Sequence, residues 1–509
     1  MCGIFCIKSF NGQKLNFPTC QNILAKQSYR GPDSTKFYID GESIFLGHNR
    51  LRIVDLNFNA DQPFFSKDRR YVILFNGEIY NHKELRKKIG LNFLTESDTE
   101  TILKGYEKFG AKIFEMLDGM FAVVIYDTHK DTFIVARDYF GIKPLYYYHD
   151  KHYLILSSDI ASISESVQTE IDTDSILEWK TFRSPLPGKT FFKNVHSLKP
   201  GTMKVFHKNT KPKTKYFWNL EPSNLAFSEV DIIDLLSESI SSHLMTDTVP
   251  VTLLSGGIDS SIVTIFSGIK EAYSVGFKDL NEFAIAEETS KVLGIDLKKV
   301  TINQDEYSSL FEKLIRLKKA PLLVPNEILI HKVSIAMPNS TKVFLTGEGA
   351  DELFFGYDQI FSDVNQGVIG TLDQFIERYR YSETKVTDRF YNYLTKMKEN
   401  KSMMEFLEDF FIFFHLGVLL DRMDFSSMSA SKEARVPFVT KKLFNYMYRR
   451  PYSVRGSLNA PKKILRKELL ERGFEHITRQ KKIGFTTFNP NLSRLEGYQT
   501  FQKQCEGLL

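Results

Sequence analysis

The feature that most limits this chain is a junction near its middle. Residues 249–254 (VPVTLL) are an apolar run of strand length, and they pass directly into Ser255-Gly256-Gly257. Helical periodicity then begins at Ile258. A strand, a glycine turn and a helix in that order present backbone N–H groups and positive potential at the carboxyl edge of a sheet. The pattern recurs. Residues 272–277 (AYSVGF) and 297–302 (LKKVTI) read as strands around a helix over 284–293, and 342–345 (KVFL) again meets a glycine-bearing turn and a helix. Such alternation predicts a doubly wound parallel sheet, an α/β domain. The remainder, to residue 509, reads as mostly helical.

The first part of the chain follows another pattern. Residues 71–75 (YVILF) read as a strand stopped by Asn76-Gly77; 121–126 (FAVVIY) and 132–136 (TFIVA) read as a hairpin, and 153–156 as a further strand. Helical spacing appears over 20–26 and 97–109, so this part is α+β. The polar stretch 208–215 (KNTKPKTK) reads as a linker. The expected division is 1–207, a linker over 208–226, and 227–509, within the two to four domains that ~100–200 residues each allows.

Composition narrows the function classes. Lys and Arg number 67 against 62 Asp and Glu, a net charge of +5 that is too dilute for a nucleic-acid partner. The apolar run 410–420 is interrupted by His415 and is too short for a bilayer, which needs ~20 residues, so it is expected to be a buried helix. Four cysteines, Cys2, Cys6, Cys20 and Cys505, show neither disulfide-scaffold density nor metal spacing, and the N-terminus lacks the basic region of a signal peptide. The expected setting is a reducing cytoplasm, without membrane or nucleic acid.

Two groups of residues carry chemistry. Cys2 follows the initiator Met, whose removal would leave an α-amine titrating near pH ~8 as a base for its own thiol. Asn76-Gly77 can place a side-chain amide and a backbone N–H together as an oxyanion hole. Arg50 can grip a carboxylate, and Asp98 can hold an ammonium. Each piece also has a bland reading, since Asn-Gly is a common turn and Ser97-Asp98-Thr99-Glu100 suits a helix N-cap. In the second part, Ser255, Gly256, Gly257, Ser260 and Ser261 suit an anion, and Asp259 beside it reads as a Mg²⁺ ligand. Gly188-Lys189-Thr190 is no phosphate loop, because Arg183 stands where the first glycine would be. The run Gly347-Glu348-Gly349-Ala350-Asp351-Glu352 ends the last strand and reaches the same sheet edge; its acids would equally suit a helix start. The basic runs 462–466 (KKILR) and 479–485 (RQKKIGF) can neutralise a leaving anion or simply face solvent.

The motifs MCGIF, YRGPD, GHNRLRIVDL, FNGEIYN, SDTE, DGMFAVVIYD and ARDYFGIKPLYY, in this order, resemble the glutaminase domain of the class II, N-terminal-nucleophile amidotransferases. The resemblance implies a four-layer αββα sandwich, the Ntn hydrolase fold. It implies Cys2 as nucleophile and Asn76 and Gly77 as oxyanion hole. It implies glutamine binding by Arg50, Leu51, Val54, Asn76, Gly77, Glu78 and Asp98. SGGIDS, GEGADEL and EARVPF resemble the ATP-pyrophosphatase synthetase domain of glutamine-dependent asparagine synthetases. That resemblance implies ATP binding by Leu254, Ser255, Gly256, Gly257, Asp259, Ser260, Val275, Thr346 and Gly347, and Mg²⁺ binding by Asp259 and Asp351. Glu348 and Lys482 would then be catalytic. The implied activity hydrolyses glutamine, activates aspartate with ATP as an acyl-adenylate and amidates it. A uronic acid of a surface polysaccharide is the alternative acceptor, and the oligomeric state, a homodimer included, is open.

Departures from the pattern gather near the acceptor. Lys318-Lys319-Ala320-Pro321 stands where an acidic pair before proline is expected, and 322–327 reads LLVPNE. Val439-Thr440 follows EARVPF where Leu-Asp is expected, the Arg479-to-Lys482 spacing is one residue longer than the family pattern, and Tyr29 precedes RGPD where His is common.

Overall fold

The structure is a computed structural model and describes residues 2–208, 210–456, 461–479 and 493–508. The first part contains strands β1 (Gly3–Ser9), β2 (Ser34–Asp40), β3 (Ile44–Arg50), β4 (Phe64–Phe65), β5 (Tyr71–Ile79), β6 (Gly119–Asp127), β7 (Thr132–Arg137), β8 (Tyr146–His149), β9 (Tyr153–Ser157), β10 (Val195–Ser197), β11 (Thr202–His207) and β12 (Lys213–Tyr216). They form two antiparallel six-stranded sheets, ordered β10-β8-β9-β1-β3-β2 and β12-β11-β7-β6-β5-β4.

Alternation along the strands explains the layers. Ile4, Cys6, Leu46 and Leu156 of one sheet pack on Val72, Leu74, Val124 and Val135 of the other. The intervening residues face outward. Phe5, Phe45 and Ile155 meet Ile23 and Leu24 of the helix Phe17–Lys26 and Ile163 of the helix Ile160–Ser166. Phe75, Val123 and Ile125 meet Leu85 of the helix His82–Ile89 and Ile102 of the helix Asp98–Phe109. Strands apolar on both faces, with helices on each outer side, make the expected αββα sandwich.

Two expectations need correction. β5 does not stop at Asn76-Gly77 but runs to Ile79, with Asn76 opposite Ala122 and Gly77 opposite Phe121. Gly77 permits this: at φ 155° it stays extended, and a Cβ there would collide with the carbonyl of Met120. The stretch 208–215 is not wholly a linker, since Lys213–Tyr216 pairs with β11 as an edge strand, Val205 opposite Lys213. Pro212 precedes that strand, at a place where a missing N–H costs no ladder bond.

The second part holds a parallel sheet of β13 (Val251–Leu253), β14 (Glu271–Phe277), β15 (Asp296–Ile302), β16 (Val343–Leu345) and β17 (Glu433–Arg435), ordered β15-β14-β13-β16-β17. The order reverses at β13, whose neighbours are β14 and β16, so the loops after β13 and β16 open a crevice there. Sequence periodicity missed β17, because three residues carry no period. The apolar run 410–420 lies, as expected, in a buried helical stretch made of Met403–Phe410, a wider π turn over Phe411–His415, and Leu416–Met428. Among the described residues no helix is long and apolar enough to cross a membrane.

The two parts share one continuous core. Trp179 and Phe182 of the first part lie in the same buried cluster as Leu322, Leu329 and Phe414 of the second, and Trp179 Nε1 donates to the carbonyl of Leu322 at 2.9 Å.

Candidate active sites

The first site lies where β1, β3 and β5 meet. β1 pairs with β3, Gly3 opposite Asn49, which brings Cys2 beside Arg50 and Leu51. The Cys2 nitrogen donates to Asn76 Oδ1 at 2.9 Å, and the Leu51 N–H donates to the Cys2 thiol. Burial pushes that thiol up, with the Leu51 bond opposing. Asn76 is fully buried, and its Nδ2 has no hydrogen-bond partner among the described residues. A buried donor left in that condition costs about 1–3 kcal/mol, so the position suits a ligand oxygen. Three residues along β5, the Ile79 N–H donates to Asp98 Oδ2 at 3.0 Å. Asp98 opens its helix behind the N-cap Ser97, and burial raises its carboxyl to about 6 against the amides of Ile79 and Thr99.

The residues of the first group therefore converge, with one difference of detail. Four Arg50 N–H groups serve the neighbouring loop: NH1 donates to Asn57 O (2.9 Å) and Asp61 Oδ1 (2.8 Å), and NH2 to Val54 O (3.2 Å) and Asp55 O (2.5 Å). Val54 thus enters through its carbonyl. Asp61, which sequence reasoning missed, receives Arg50, Arg52, Ser34 and Lys36; burial opposes them, yet they hold its carboxyl well below the usual range. Glu78 is buried and its carboxyl is pushed up, first by burial and then by Asp98 and Glu433. Its Oε1 lies 3.7 Å from Arg435 of β17.

Arg30 ties this site to the second part. Its Nε donates to the Cys2 carbonyl at 3.1 Å and its NH2 to Asp424 Oδ2 at 2.8 Å, both side chains almost fully buried. Breaking one member of such a buried pair typically costs about 3–5 kcal/mol. The motif YRGPD contained the signal, since an arginine inside an apolar domain needs a partner.

The second site is the crevice beside β13. Gly256 takes φ 80°, and Ser255 and Ser260 brace the loop: Ser260 Oγ accepts from the Ser255 N–H at 3.1 Å and donates to the Gly257 carbonyl at 3.1 Å. Gly347, after β16, abuts the helix Ile258–Ser267; a Cβ there would lie 2.6 Å from Asp259 Cβ. A cleft of about 440 Å³ opens against this loop, lined by Gly256, Gly257, Asp259, Asp351, Tyr357 and Lys462 among others. Asp259 Oδ2 and Asp351 Oδ1 converge on Lys462 Nζ, each at 2.5 Å. Of the basic run 462–466, Lys462 and Arg466 line the cleft, whereas Lys463 donates to the Ser453 carbonyl away from it.

Other predicted residues sit around this cleft. Leu254 is fully buried against Ala272 and Ala286, and Val275 is buried in the core, so neither lines the cleft. Thr346 is buried and its N–H donates to the Arg435 carbonyl at 3.0 Å. Glu348 is bonded by Arg422 NH2. Lys482 lies outside the described residues. No group of three or more His, Cys, Asp or Glu forms a metal cage among the described residues, but two carboxylates meeting one cation match what Mg²⁺ takes from protein when phosphates supply further ligands.

Comparison with known proteins matches both parts of the chain. Residues 1–218 match the profile of a glutamine amidotransferase domain, and residues 231–503 match that of asparagine synthase. "Asparagine synthetase [glutamine-hydrolyzing] 1" of Bacillus subtilis is 29% identical over 95% of this chain and 87% of its own. "Asparagine synthetase [glutamine-hydrolyzing] 3" of the same organism is 27% identical over 92% and 84%. "Amidase chyE" of Penicillium rubens is 31% identical over 72% of this chain and 60% of its own. With more than half of its length in one profile and the other profile ahead of it, the chain belongs to the asparagine synthase family of glutamine-hydrolysing, ATP-dependent amidotransferases.

Proposed function

We propose that the chain hydrolyses glutamine at Cys2 and uses the ammonia to amidate a carboxylate activated with ATP at the β13 crevice. The observation that carries this reading is Asn76, which holds the Cys2 nitrogen with Oδ1 while Nδ2 remains as a buried donor for an oxyanion. The Cys2 thiol attacks the glutamine amide carbon, its proton passes to the α-amine exposed by loss of Met1, and the C–N bond breaks as ammonia leaves with that proton. Water then hydrolyses the thioester to glutamate. Asn76 and Gly77 stabilise the negative oxygen of both tetrahedral species. Asp98 takes the glutamine ammonium, and the Arg50 loop, with Leu51, Val54 and Glu78, shapes the amino-acid end.

At the second site the glycine loop and Ser255 and Ser260 cradle pyrophosphate, with Leu254, Val275, Thr346 and Gly347 as its packing support. Asp259 and Asp351 would hold Mg²⁺, which neutralises phosphate charge when bound. An acceptor carboxylate attacks the α-phosphorus, pyrophosphate leaves, and the acyl-adenylate forms. Ammonia then attacks the acyl carbon and AMP departs. Glu348 lies beside the nucleotide loop to take the proton from the nitrogen of the adduct that ammonia forms with the acyl carbon, and Lys482 is proposed for the pyrophosphate side. Keeping ammonia inside the protein keeps it unprotonated, which is the physical reason for one chain with both sites.

Aspartate is the acceptor to which the relatives' names point, with asparagine as product. A second reading, another carboxylate, is favoured by Lys318, a cation where the family pattern has acids. We place the division between domains after Tyr216, with 217–228 as the connection to the helix Glu229–Ser242. The test is to supply glutamine, ATP and Mg²⁺ with a panel of carboxylic acids and to measure glutamate and pyrophosphate. Glutamate formation with acceptor-dependent pyrophosphate release is expected. Release of phosphate in place of pyrophosphate would refute the adenylate route.

A further inference from the structure

Lys462 stands at the point where the two carboxylates of the second site converge. Its Nζ lies 2.5 Å from Asp259 Oδ2 and 2.5 Å from Asp351 Oδ1. The carboxylates come from separate elements, Asp259 from the first turn of the helix Ile258–Ser267 and Asp351 from the helix Ala350–Leu353. Lys462 is 5% exposed, and its backbone is left-handed, φ 56° and ψ 42°. A residue with a Cβ adopts that conformation at a cost, so the surrounding structure holds it there. Gly356 leaves the room for this contact: a Cβ at that position would lie 1.9 Å from Asp351 Oδ1 and 2.4 Å from Lys462 Cε.

Charge decides what this arrangement can do. Within the group of two carboxylates and one ammonium, one negative charge remains, whereas two carboxylates and a divalent ion balance. Both cations use the same carboxylate oxygens, and so they exclude each other. Mg²⁺ draws its oxygens to about 2.0–2.1 Å, and its charge repels an ammonium held at that distance. A buried ammonium leaves its carboxylates at low cost only where another anion receives it. The cleft offers that place, and a flexible four-carbon stem can reach it. Lys462 lines the cleft together with Gly256 and Gly257 of the anion-binding loop. Arg466, on the helix Lys463–Glu471, lines it as well, while Arg466 Nε and NH1 donate to the carbonyls of Pro461 (2.8 Å) and Thr478 (2.5 Å).

Resting on the reading above of Asp259 and Asp351 as the Mg²⁺ ligands, we propose that Lys462 competes with the metal for these two carboxylates. The phosphates of the nucleotide take the ammonium, and the acids then accept Mg²⁺. Metal and nucleotide therefore bind with positive coupling through Lys462, in addition to the chelation of the ion by the phosphates. Without nucleotide, the chain binds a divalent ion at this pair only weakly, because the ion must first displace a buried ammonium that has no other anion to meet.

Titration of the full chain with Mn²⁺, the free ion being measured by electron paramagnetic resonance, tests this without turnover, since Mn²⁺ takes the same oxygen ligands as Mg²⁺. In the absence of nucleotide, Lys462→Met is expected to bind Mn²⁺ at least about tenfold more tightly than the unaltered chain, the scale of one charged hydrogen bond. Lys462→Gly, which suits the left-handed backbone, should show the same gain, and Lys462→Arg should not. Asp259→Asn added to Lys462→Met should abolish the gain. Mn²⁺ should also raise the melting temperature of the two neutral variants more than that of the unaltered chain. Equal Mn²⁺ affinity in the unaltered chain and the folded neutral variants, or a gain that survives Asp259→Asn, would overturn the proposal. Failure of both neutral variants to fold even with Mn²⁺ would make Lys462 a structural tie and overturn it as well. Glutamate formation and pyrophosphate release are measured separately. A chain that performs both, with Mn²⁺ affinity indifferent to Lys462, keeps the amidation reading and loses this one; a gain in Mn²⁺ affinity in a chain that releases no pyrophosphate with any acceptor does the reverse.

Discussion

Around Cys2, paired strands set most distances: β1 lies beside β3, and β5 carries Asn76 and the Ile79 N–H three residues apart, one bonded to the Cys2 nitrogen and the other to Asp98. Around Ser255, the sheet supplies only an edge, and the site is completed by Asp351, Tyr357 and Lys462 from segments far along the chain. The first site is set in a lattice of backbone bonds between paired strands. The second is an assembly of loops and helix starts, closed by a salt link. A site of the first kind tolerates little backbone change, while one of the second kind depends on the balance of charge among side chains.

Substitutions that hit one site alone can break that contrast. The largest effect is expected for Cys2→Ala, which should lower glutamine-dependent product by about 10³ or more and leave ammonia-dependent product largely intact. Loss of both activities in a folded variant would show that the sites are not separable. Asp259→Asn comes next. It keeps shape, removes a charge from the pair facing Lys462, and should slow pyrophosphate release by about 10²–10³, corresponding to a few kcal/mol. Glutamine hydrolysis measured in the same preparation should persist; a near-normal rate of pyrophosphate release would make Asp259 structural.

Two smaller effects sharpen the contrast. Gly77→Ala must push a methyl group against the Met120 carbonyl, and should destabilise the first domain by at least about 2 kcal/mol in chemical denaturation. An unchanged unfolding midpoint would contradict the paired-strand account. The mildest probe is pH. Asp98 is raised to about 6, so its contribution to folding is complete below the ordinary carboxylate range and is lost as pH rises through about 6. Binding of the glutamine ammonium runs the opposite way, because it needs the ionised form. The kcat/KM for glutamine should therefore fall more steeply below about 6, by a further factor of about ten per pH unit on top of the slope set by the Cys2 α-amine near pH ~8. Asp98→Asn should remove the extra slope, and a single slope through that range in the unaltered chain would remove Asp98 from this role.

Much of this was legible in the residues. The hairpin of β6 and β7, the helix Asp98–Phe109 and the strand–glycine–helix junction at 255–258 follow from local pattern, because period two, period 3.6 and a glycine turn are properties of consecutive residues. The continuation of β5 through Asn76-Gly77 was not legible, since a turn and an extended glycine share one spelling, and only the Met120 carbonyl on the neighbouring strand distinguishes them. The short β17 and the edge strand β12 were also hidden: three or four residues carry no period, and they are strands because a partner is there to bond.

The order of motifs along the chain was sufficient for the family, and it nominated the groups proposed to do chemistry, because residue type decides which atoms can attack, donate or bind a cation. Tertiary structure alone decided how those groups are charged and partnered. Arg50 is committed to Asp61, Arg30 joins Cys2 to Asp424, and Lys462 stands between Asp259 and Asp351. Lys318 and Lys319 show this most plainly. They are adjacent and chemically identical, yet one is buried beside Glu327 and the other pairs with Glu165 at the surface. Lys318 ends its helix and Lys319 turns left-handed at φ 52°, which sends the two side chains in different directions, so one ammonium is buried among carboxylates and the other is a surface charge.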